Sequence, residues 1–378
     1  MNKIRICMLV TNPLIKDPRV QRELNSAQQS GFEVIFIGSQ NEFYNKEFLN
    51  KLPFITDIIL FNEKIRKSRF IFSRVYRAVY RFWSFVFKTA KYKPDIIHCN
   101  DLSTLPQGYI ASKICNAKVV YDSHEINCDV LSEKKSMSEK IMILVESFLI
   151  RRVDRVVSVS NAASKIISDY YKIPPPTVVT NCSFKVENVN LNIIKKDFKV
   201  LYHGIMSQDR GYEEFILSSE KVKPGIILQL RGYGPLENLL REKTKSLNLV
   251  NIVFEKPVEI NELIIKASES NVGVVLTKPV NTNYKYTVGN KIFEYINAGL
   301  PVILSRVPEH IYLNEKFNIG IVVDVNPKEI AEAINRLYED EKLYHELRRN
   351  AIEMSKIMCW ENEVLKLIEI YKELSTCK

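Results

Sequence analysis

An α/β fold of two parallel-sheet halves is predicted by three features of the sequence. Short apolar runs of strand length recur, amphipathic segments of helix length separate them, and one interruption near the middle is followed by a restart of the same alternation. The first unit is the clearest. Ile4 to Val10 forms a strand, Thr11 to Lys16 a loop, and Asp17 an N-cap with Pro18 at the first helical position of the segment that carries Val20 to Gln29; Gly31 closes that helix. Strand-length runs follow at Val34 to Gly38, Asp95 to His98, Lys118 to Tyr121 and Arg155 to Val159.

The rhythm breaks at Ile173-Pro174-Pro175-Pro176 and through the polar stretch from Asn188 to Lys196, where a hinge is expected. Beyond it, strands fit Val200, Ile226 to Leu230, Ile252 to Phe254, Val272 to Leu276, Pro301 to Leu304 and Ile321 to Val323, with helices near Glu213 to Ser219 and Leu236 to Leu247. Helices from Pro327 to Met358 and from Trp360 to Leu374 close the chain. The expected division is residues 1–187, 188–360 and a last helix, 361–378, returning to the first domain. Two such halves facing one another predict a central cleft.

Composition agrees with a globular chain. The 378 residues are 46% hydrophobic and 26% charged, enough for two ordinary cores, while 12 glycines, 15 prolines and 10% aromatics exclude collagen-like and disordered classes. The net charge of +10 is unevenly placed: residues 1–190 hold 28 Lys+Arg against 18 Asp+Glu, leaving 26 against 26 for the rest. That asymmetry points to an anionic surface partner for the first half. Seven cysteines form no pair of metal-binding or redox spacing, which fits a reduced, cytoplasmic setting. After Lys3 and Arg5 the apolar run is too short for a signal peptide, and no stretch approaches the roughly 20 apolar residues of a membrane span.

In an open α/β sheet, ligands bind beyond the carboxyl ends of the strands. Arg231-Gly232-Tyr233-Gly234-Pro235 follows such an end but lacks the third glycine of a dinucleotide fingerprint. In Gly289-Asn290-Lys291-Ile292-Phe293-Glu294, the first two residues start a helix that Ala298-Gly299 stops. An ammonium at Lys291 beside free N–H groups suits a diphosphate, and a carboxylate one turn on suits a ribose; a solvated ion pair is the alternative. Gly204 lets the backbone approach a ligand, and Arg210 either forks onto a phosphate or is a surface arginine in a turn. His124 lies just past a strand end. With five histidines and no zinc-like spacing, no metal site is expected.

These motifs together resemble a retaining glycosyltransferase of family 4, with the GT-B fold of two Rossmann-like domains, over essentially the whole chain. The resemblance is carried by Asp17-Pro18-Arg19-Val20, Tyr121-Asp122-Ser123-His124-Glu125 and Val153-Asp154-Arg155-Val156-Val157-Ser158-Val159-Ser160. In the second half it is carried by Arg210-Gly211, Arg231-Gly232-Tyr233-Gly234, Asn290-Lys291-Ile292-Phe293-Glu294-Tyr295 and Ala298-Gly299-Leu300-Pro301-Val302.

The resemblance implies that the second half binds the donor, a UDP- or GDP-sugar, through Gly204, Arg210, Gly232, Gly234, Val258, Tyr286, Asn290, Lys291 and Glu294, and that the first half binds a glycan or lipid-linked acceptor. Glu294 matches the ribose-holding glutamate of a family pair whose other member is replaced by Tyr286, and Ile205 stands where many members carry a phosphate-binding arginine. Arg210 and Lys291 remain as the cationic clamp. His124 matches the histidine placed beside the transferred sugar, so His124, Arg210 and Lys291 form the expected catalytic set, without metal or cofactor. Asp17 and Arg19 are assigned to the acceptor side.

Between Lys64 and Lys93 lie ten Lys+Arg, nine aromatics and no acid. Arg74, Arg77, Arg81 and Lys88 share one helical side, while Phe72, Tyr76, Val79, Trp83, Val86 and Phe87 occupy another. The expected role is docking on an anionic membrane surface, peripheral on the inner face of the cell membrane; the alternative is a helix that packs its aromatics into the core. Nucleic acid is the weakest reading, since no reader motif accompanies the patch. The expected function is sugar transfer in cell-surface polysaccharide assembly. A sugar-nucleotide epimerase and a catalytically silent, membrane-docked binding subunit are the rivals.

Overall fold

The computed structural model describes residues 3–39, 46–60, 71–128, 136–186, 197–286 and 288–376. The chain divides into two compact units, residues 1–179 with 364–378, and residues 180–363.

Unit 1 runs through β1 (Arg5–Leu9), α1 (Pro18–Gln29), β2 (Glu33–Ser39), α2 (Lys46–Asn50), β3 (Ile55–Ile59), α3 (Ile71–Lys91), β4 (Ile96–Asn100), α4 (Leu105–Cys115), β5 (Lys118–Ser123), α5 (Met137–Leu149), β6 (Arg155–Ser158), α6 (Asn161–Tyr171) and β7 (Thr177–Val178). All its strands are parallel, in the order β3-β2-β1-β4-β5-β6-β7. A central parallel strand is covered on both faces, which is why β1 reads as a continuous apolar run: Ile6, Cys7, Met8 and Leu9 are fully buried. Asp17 caps α1 by accepting the Val20 N–H at 3.2 Å, with Pro18 in the first turn, and Gly31 follows the helix end at φ +92°.

Unit 2 continues with β8 (Phe198–Ile205), α7 (Tyr212–Ser218), β9 (Ile226–Tyr233), α8 (Glu237–Ser246), β10 (Ile252–Glu255), α9 (Leu263–Ala267), β11 (Val272–Val275), α10 (Thr282–Tyr286), α11 (Lys291–Asn297), β12 (Val302–Ser305), α12 (Pro308–Phe317), β13 (Gly320–Val323), α13 (Pro327–Glu339) and α14 (Glu341–Ile357). Its sheet is parallel in the order β10-β9-β8-β11-β12-β13. Successive residues of β8 serve opposite layers: Val200 and Tyr202 join the core beneath α7 and α13, while Leu201 joins the core beneath α11. The last helix, α15 (Trp360–Thr376), begins in unit 2 and belongs to unit 1 from Val364. There Tyr371 is fully buried, with its hydroxyl 2.6 Å from His98 Nδ1.

Two expectations are corrected. The triple proline is not the hinge, because β7 follows it and extends the first sheet, so the division falls after Val179 rather than at 187. The polar stretch 188–196 lies outside the described residues. The segment from Pro327 to Met358 is two helices rather than one, broken at Asp340, whose carboxylate caps α14 by accepting the Leu343 N–H at 2.9 Å.

Each sheet reverses its strand order beside its first strand, between β1 and β4 and between β8 and β11. Loops leaving neighbouring strands diverge at such a point and open the crevice in which ligands of parallel sheets sit.

Candidate functional site

In unit 1, the carboxyl ends of β4 and β5 and the first turns of α1 bring Arg19, Glu23, His98, Asp101, Asp122 and His124 together. Arg19 is the organiser. Its Nη2 donates to both Asp122 oxygens, at 2.8 and 3.1 Å, its Nη1 to the Val179 carbonyl at 3.0 Å, and its Nε lies 2.9 Å from Glu23 Oε1 and donates to His124 Nε2 at 3.1 Å. The guanidinium is thus turned inward, and Arg19 is 4% exposed. Asp17 serves as the cap of α1.

His124 is held at three points. Its backbone N–H donates to Asp101 Oδ1 at 3.1 Å, its Nδ1 lies 3.6 Å from Asp101 Oδ2, and its Nε2 lies 3.4 Å from Asp122 Oδ2. Burial opposes the charge of Asp122, but the Arg19 guanidinium outweighs it and holds that carboxyl well below its usual range. Burial likewise opposes charge on His124, yet the Asp122 carboxylate outweighs it and lifts the imidazole above the ordinary histidine value. At Nε2 the two protonation states exchange partners. The neutral ring accepts from Arg19, and the imidazolium turns its hydrogen to Asp122. Glu23, Asp122 and His124 place three potential ligand atoms within 4.8 Å of one another, but the Arg19 guanidinium contacts all three, so the group already holds a cation.

In unit 2, the corresponding place is the carboxyl end of β8 and the start of α11. Gly299, at φ +68°, ends α11 just past its last residues, as expected. Gly204 has φ +114°, and a Cβ there would sit 2.5 Å from Lys291 Cε. The missing side chain therefore makes room for the stem of Lys291. Burial pushes the Lys291 ammonium down, Glu294 draws it back up, and Arg210 adds to the depression. Arg210 lies over the Tyr284 ring, 4.2 Å from its centroid, and donates to Thr277 Oγ1 at 3.1 Å. Glu294 Oε2 is 2.8 Å from His203 Nε2, and its side chain keeps 26% of its surface. Beneath them, His310 is buried with Nδ1 3.1 Å from the Ser305 carbonyl; burial pushes its pKa down to about 4, against that hydrogen bond.

The remaining donor-side residues fall into two groups. Gly232 and Gly234, at φ +145° and +156°, leave no cradle for a ligand on the side a Cβ would take, because that Cβ would strike the Gly204 carbonyl oxygen at 2.0 Å and the Met206 carbonyl oxygen at 2.4 Å. They let adjacent strand ends approach. Val258 is half-buried in the loop after β10, Tyr286 is half-buried at the end of α10, and Asn290 is exposed just before α11 without capping it through its side chain. Ile205, at the end of β8, is 55% exposed.

The basic helix α3 keeps Phe85 and Val86 in the core and leaves Phe72, Tyr76, Val79, Trp83 and Phe87 exposed, so of the expected apolar side Val86 alone packs inward. Arg81 is exposed and Arg77 half-buried; the Arg74 side chain lies outside the described residues. Among the described residues, no helix is long and apolar enough to cross a membrane. Of the described cysteines, Cys7, Cys99 and Cys359 are free thiols.

Sequence reading passed over Asp101, Glu23, His98, His203, Thr277 and His310. Asp101 and Thr277 sit just past apolar strands, a signal as good as the one that singled out His124. Glu23 and His310 lie in helices and His98 and His203 in strands, where a lone polar residue carries no sequence mark.

Comparison with known proteins supplies the context. The family described as Glycosyltransferase Family 4 matches residues 20–182, and the family described as Glycosyl transferases group 1 matches residues 184–354. An uncharacterized glycosyltransferase of Methanocaldococcus jannaschii is 24% identical over 270 residues, 65% of this chain and 63% of that protein. The chain thus matches less than two thirds of that relative's length. Among solved structures, sucrose-phosphate synthase from Thermosynechococcus elongatus superposes with a TM-score of 0.76 at 18% identity, covering 100% of both chains. A glycosyltransferase from Rickettsia africae gives 0.78 at 17%, again over 100% of both chains. The Anabaena protein HepE, solved with UDP-glucose, gives 0.73 at 16% over 99% of this chain and 100% of its own. At these identities the likeness establishes the fold, which is of the GT-B type.

Proposed function

The chain belongs to glycosyltransferase family 4, and from that premise we propose that it moves a sugar from a UDP- or GDP-sugar to a glycan or lipid-linked acceptor, with retention and without a metal ion. The observation that carries the reading is the convergence, at the carboxyl end of β8, of the Lys291 ammonium over Gly204, the Arg210 guanidinium on Tyr284 and the Glu294 carboxylate.

The chemistry is electrostatic. As the bond from the anomeric carbon to the diphosphate oxygen breaks, negative charge gathers on the leaving group, and Arg210 and Lys291 stabilise it. The acceptor oxygen bonds to the anomeric carbon on the same face, and its proton passes to the departing phosphate oxygen, so atoms and charge balance without an enzyme nucleophile. Glu294 accepts from the ribose hydroxyls. His124 is fixed by Asp101 and Asp122. HepE was solved with UDP-glucose, which favours a UDP-sugar as the first donor to try.

Two exposed helix faces support a peripheral membrane role in surface polysaccharide assembly. On α3, Tyr76, Val79, Trp83 and Phe87 are exposed beside Arg81. On α5, Met137, Ile141, Leu144 and Phe148 form an exposed stripe at helical spacing, closed by exposed Arg151 and Arg152.

Thermal shift on the wild type and Glu294→Ala, across UDP-, GDP- and other nucleotide sugars, tests the reading. A ligand at a hundred times its Kd adds about 2.7 kcal/mol. One nucleotide sugar should stabilise the wild type and lose its effect in the variant, and the anomeric configuration of the product, read by NMR, should match the donor. Stabilisation by none, with the protein folded, would sink the transferase reading; an inverted product would sink retention alone.

A further inference from the structure

His203 is 1% exposed near the end of β8, and its place is dictated from three sides. Its N–H donates to the Tyr295 hydroxyl at 2.9 Å, its ring stacks on the Tyr295 ring at 4.5 Å and 21°, and its Nε2 lies 2.8 Å from Glu294 Oε2. Tyr295 is itself held at two places: its hydroxyl donates to the Leu201 carbonyl at 3.1 Å, and its ring fills the space Gly273 leaves, where a Cβ would stand 2.3 Å from it. Packing alone would be served by a phenylalanine in this slot. What an imidazole adds is a nitrogen at the Glu294 carboxylate.

We propose that His203 is the positioning residue for Glu294, with Tyr295 and Gly273 as its platform, and that it orients the carboxylate to accept the hydroxyl hydrogens of the donor's ribose. The inference rests on the reading of Glu294 as the ribose holder. A glutamate in the first turn of a helix samples several rotamers, and a carboxylate that must accept two hydroxyl bonds at once benefits from being oriented before the ligand arrives. Burial keeps His203 out of reach of the nucleotide, so its effect passes through Glu294.

Isothermal titration of the full-length wild type, His203→Phe, His203→Gln, Glu294→Gln and the His203→Phe/Glu294→Gln double variant with UDP, GDP and inorganic pyrophosphate separates the possibilities. Phenylalanine keeps the stack on Tyr295, and retained circular dichroism and melting temperature check the fold. The expected result is about tenfold weaker binding of the preferred nucleoside diphosphate by His203→Phe, partial recovery in His203→Gln, and unchanged pyrophosphate binding. The double variant should be no weaker than Glu294→Gln, the sign of two residues acting through one interaction. Three results would overturn the proposal: wild-type nucleotide binding by His203→Phe while Glu294→Gln is weakened, equal loss of nucleotide and pyrophosphate in His203→Phe, or full additivity in the double variant. If Glu294→Gln itself binds nucleotide normally, the ribose reading falls and takes the proposal with it.

Discussion

Arg19 grips Asp122 through both carboxylate oxygens, and neither side chain is more than 5% exposed. The pair joins the first helix of unit 1 to the carboxyl end of β5, two residues before His124. A buried ion pair contributes little net stability over a well-packed apolar pair, but breaking it on one side strands a charge.

Arg19→Met should therefore destabilise the protein by about 3–5 kcal/mol in urea unfolding, because the buried Asp122 and Glu23 carboxylates lose the guanidinium that both contact. Arg19→Lys should recover only part, since a single ammonium cannot serve Asp122, Glu23 and the Val179 carbonyl together. A loss below about 1 kcal/mol in Arg19→Met, the range of surface ion pairs, would show that water reaches the cluster.

The pH dependence of stability has a clear sign at His310. Its pKa is about 4 in the folded chain against an ordinary 6.5, so the unfolded state takes up a proton first as pH falls. The stabilisation this group contributes is present above about pH 6.5 and lost as pH falls through about 4. The urea-unfolding free energy of the wild type should drop relative to His310→Asn across that window, by an amount on the order of 3 kcal/mol. A difference between the two that stays constant with pH would mean the imidazole is reached by solvent.

Gly204→Ala tests the seating of Lys291. The new methyl would lie 2.5 Å from Lys291 Cε, on a backbone with φ +114° that side chains disfavour. Displacing one charge-assisted contact predicts nucleotide-sugar binding about tenfold weaker or worse. Unaltered titration with the donor would separate Lys291 from donor binding.

Arg210→Ala and Lys291→Met remove the two charges assigned to the leaving diphosphate. Each should lower kcat about ten- to a hundredfold. Raising KM alone would reassign the residue to ground-state binding.

Membrane docking is read by co-sedimentation with vesicles containing anionic lipid. Arg77→Glu/Arg81→Glu should weaken binding, at about 1 kcal/mol per basic residue removed, and added salt should do the same to the wild type. Salt-insensitive binding, or equal binding to neutral vesicles, would leave the apolar faces of α3 and α5 as the only attraction.

Order along the chain was legible without coordinates wherever a signal was local. Asp17 and Pro18 announce the start of α1, Asn290 and Gly299 bracket α11, and the continuous apolar run of β1 announces a strand buried on both faces. Glu294 and Lys291 were legible as a pair one turn apart. The triple proline misled because proline punctuates chains in general, and here β7 continues the sheet beyond it.

The sequence by itself determined the strand and helix alternation, the parallel character of both sheets and the loops from which chemistry emerges, because periods of two and 3.6 residues and capping residues act over a few positions. Tertiary structure alone decided where charges and rings point. Arg19 turned inward because β5 delivers Asp122 to it from 103 residues away. His203 acquired a purpose only when α11 brought Tyr295 and Glu294 to it across some ninety positions. The aromatic rings at Phe72, Tyr76, Trp83 and Phe87 of α3 stayed in solvent because Phe85 and Val86 are the residues that reach the core. Partners so far apart leave no periodic trace, since the crossovers of a parallel sheet, and not spacing along the chain, set which residues meet.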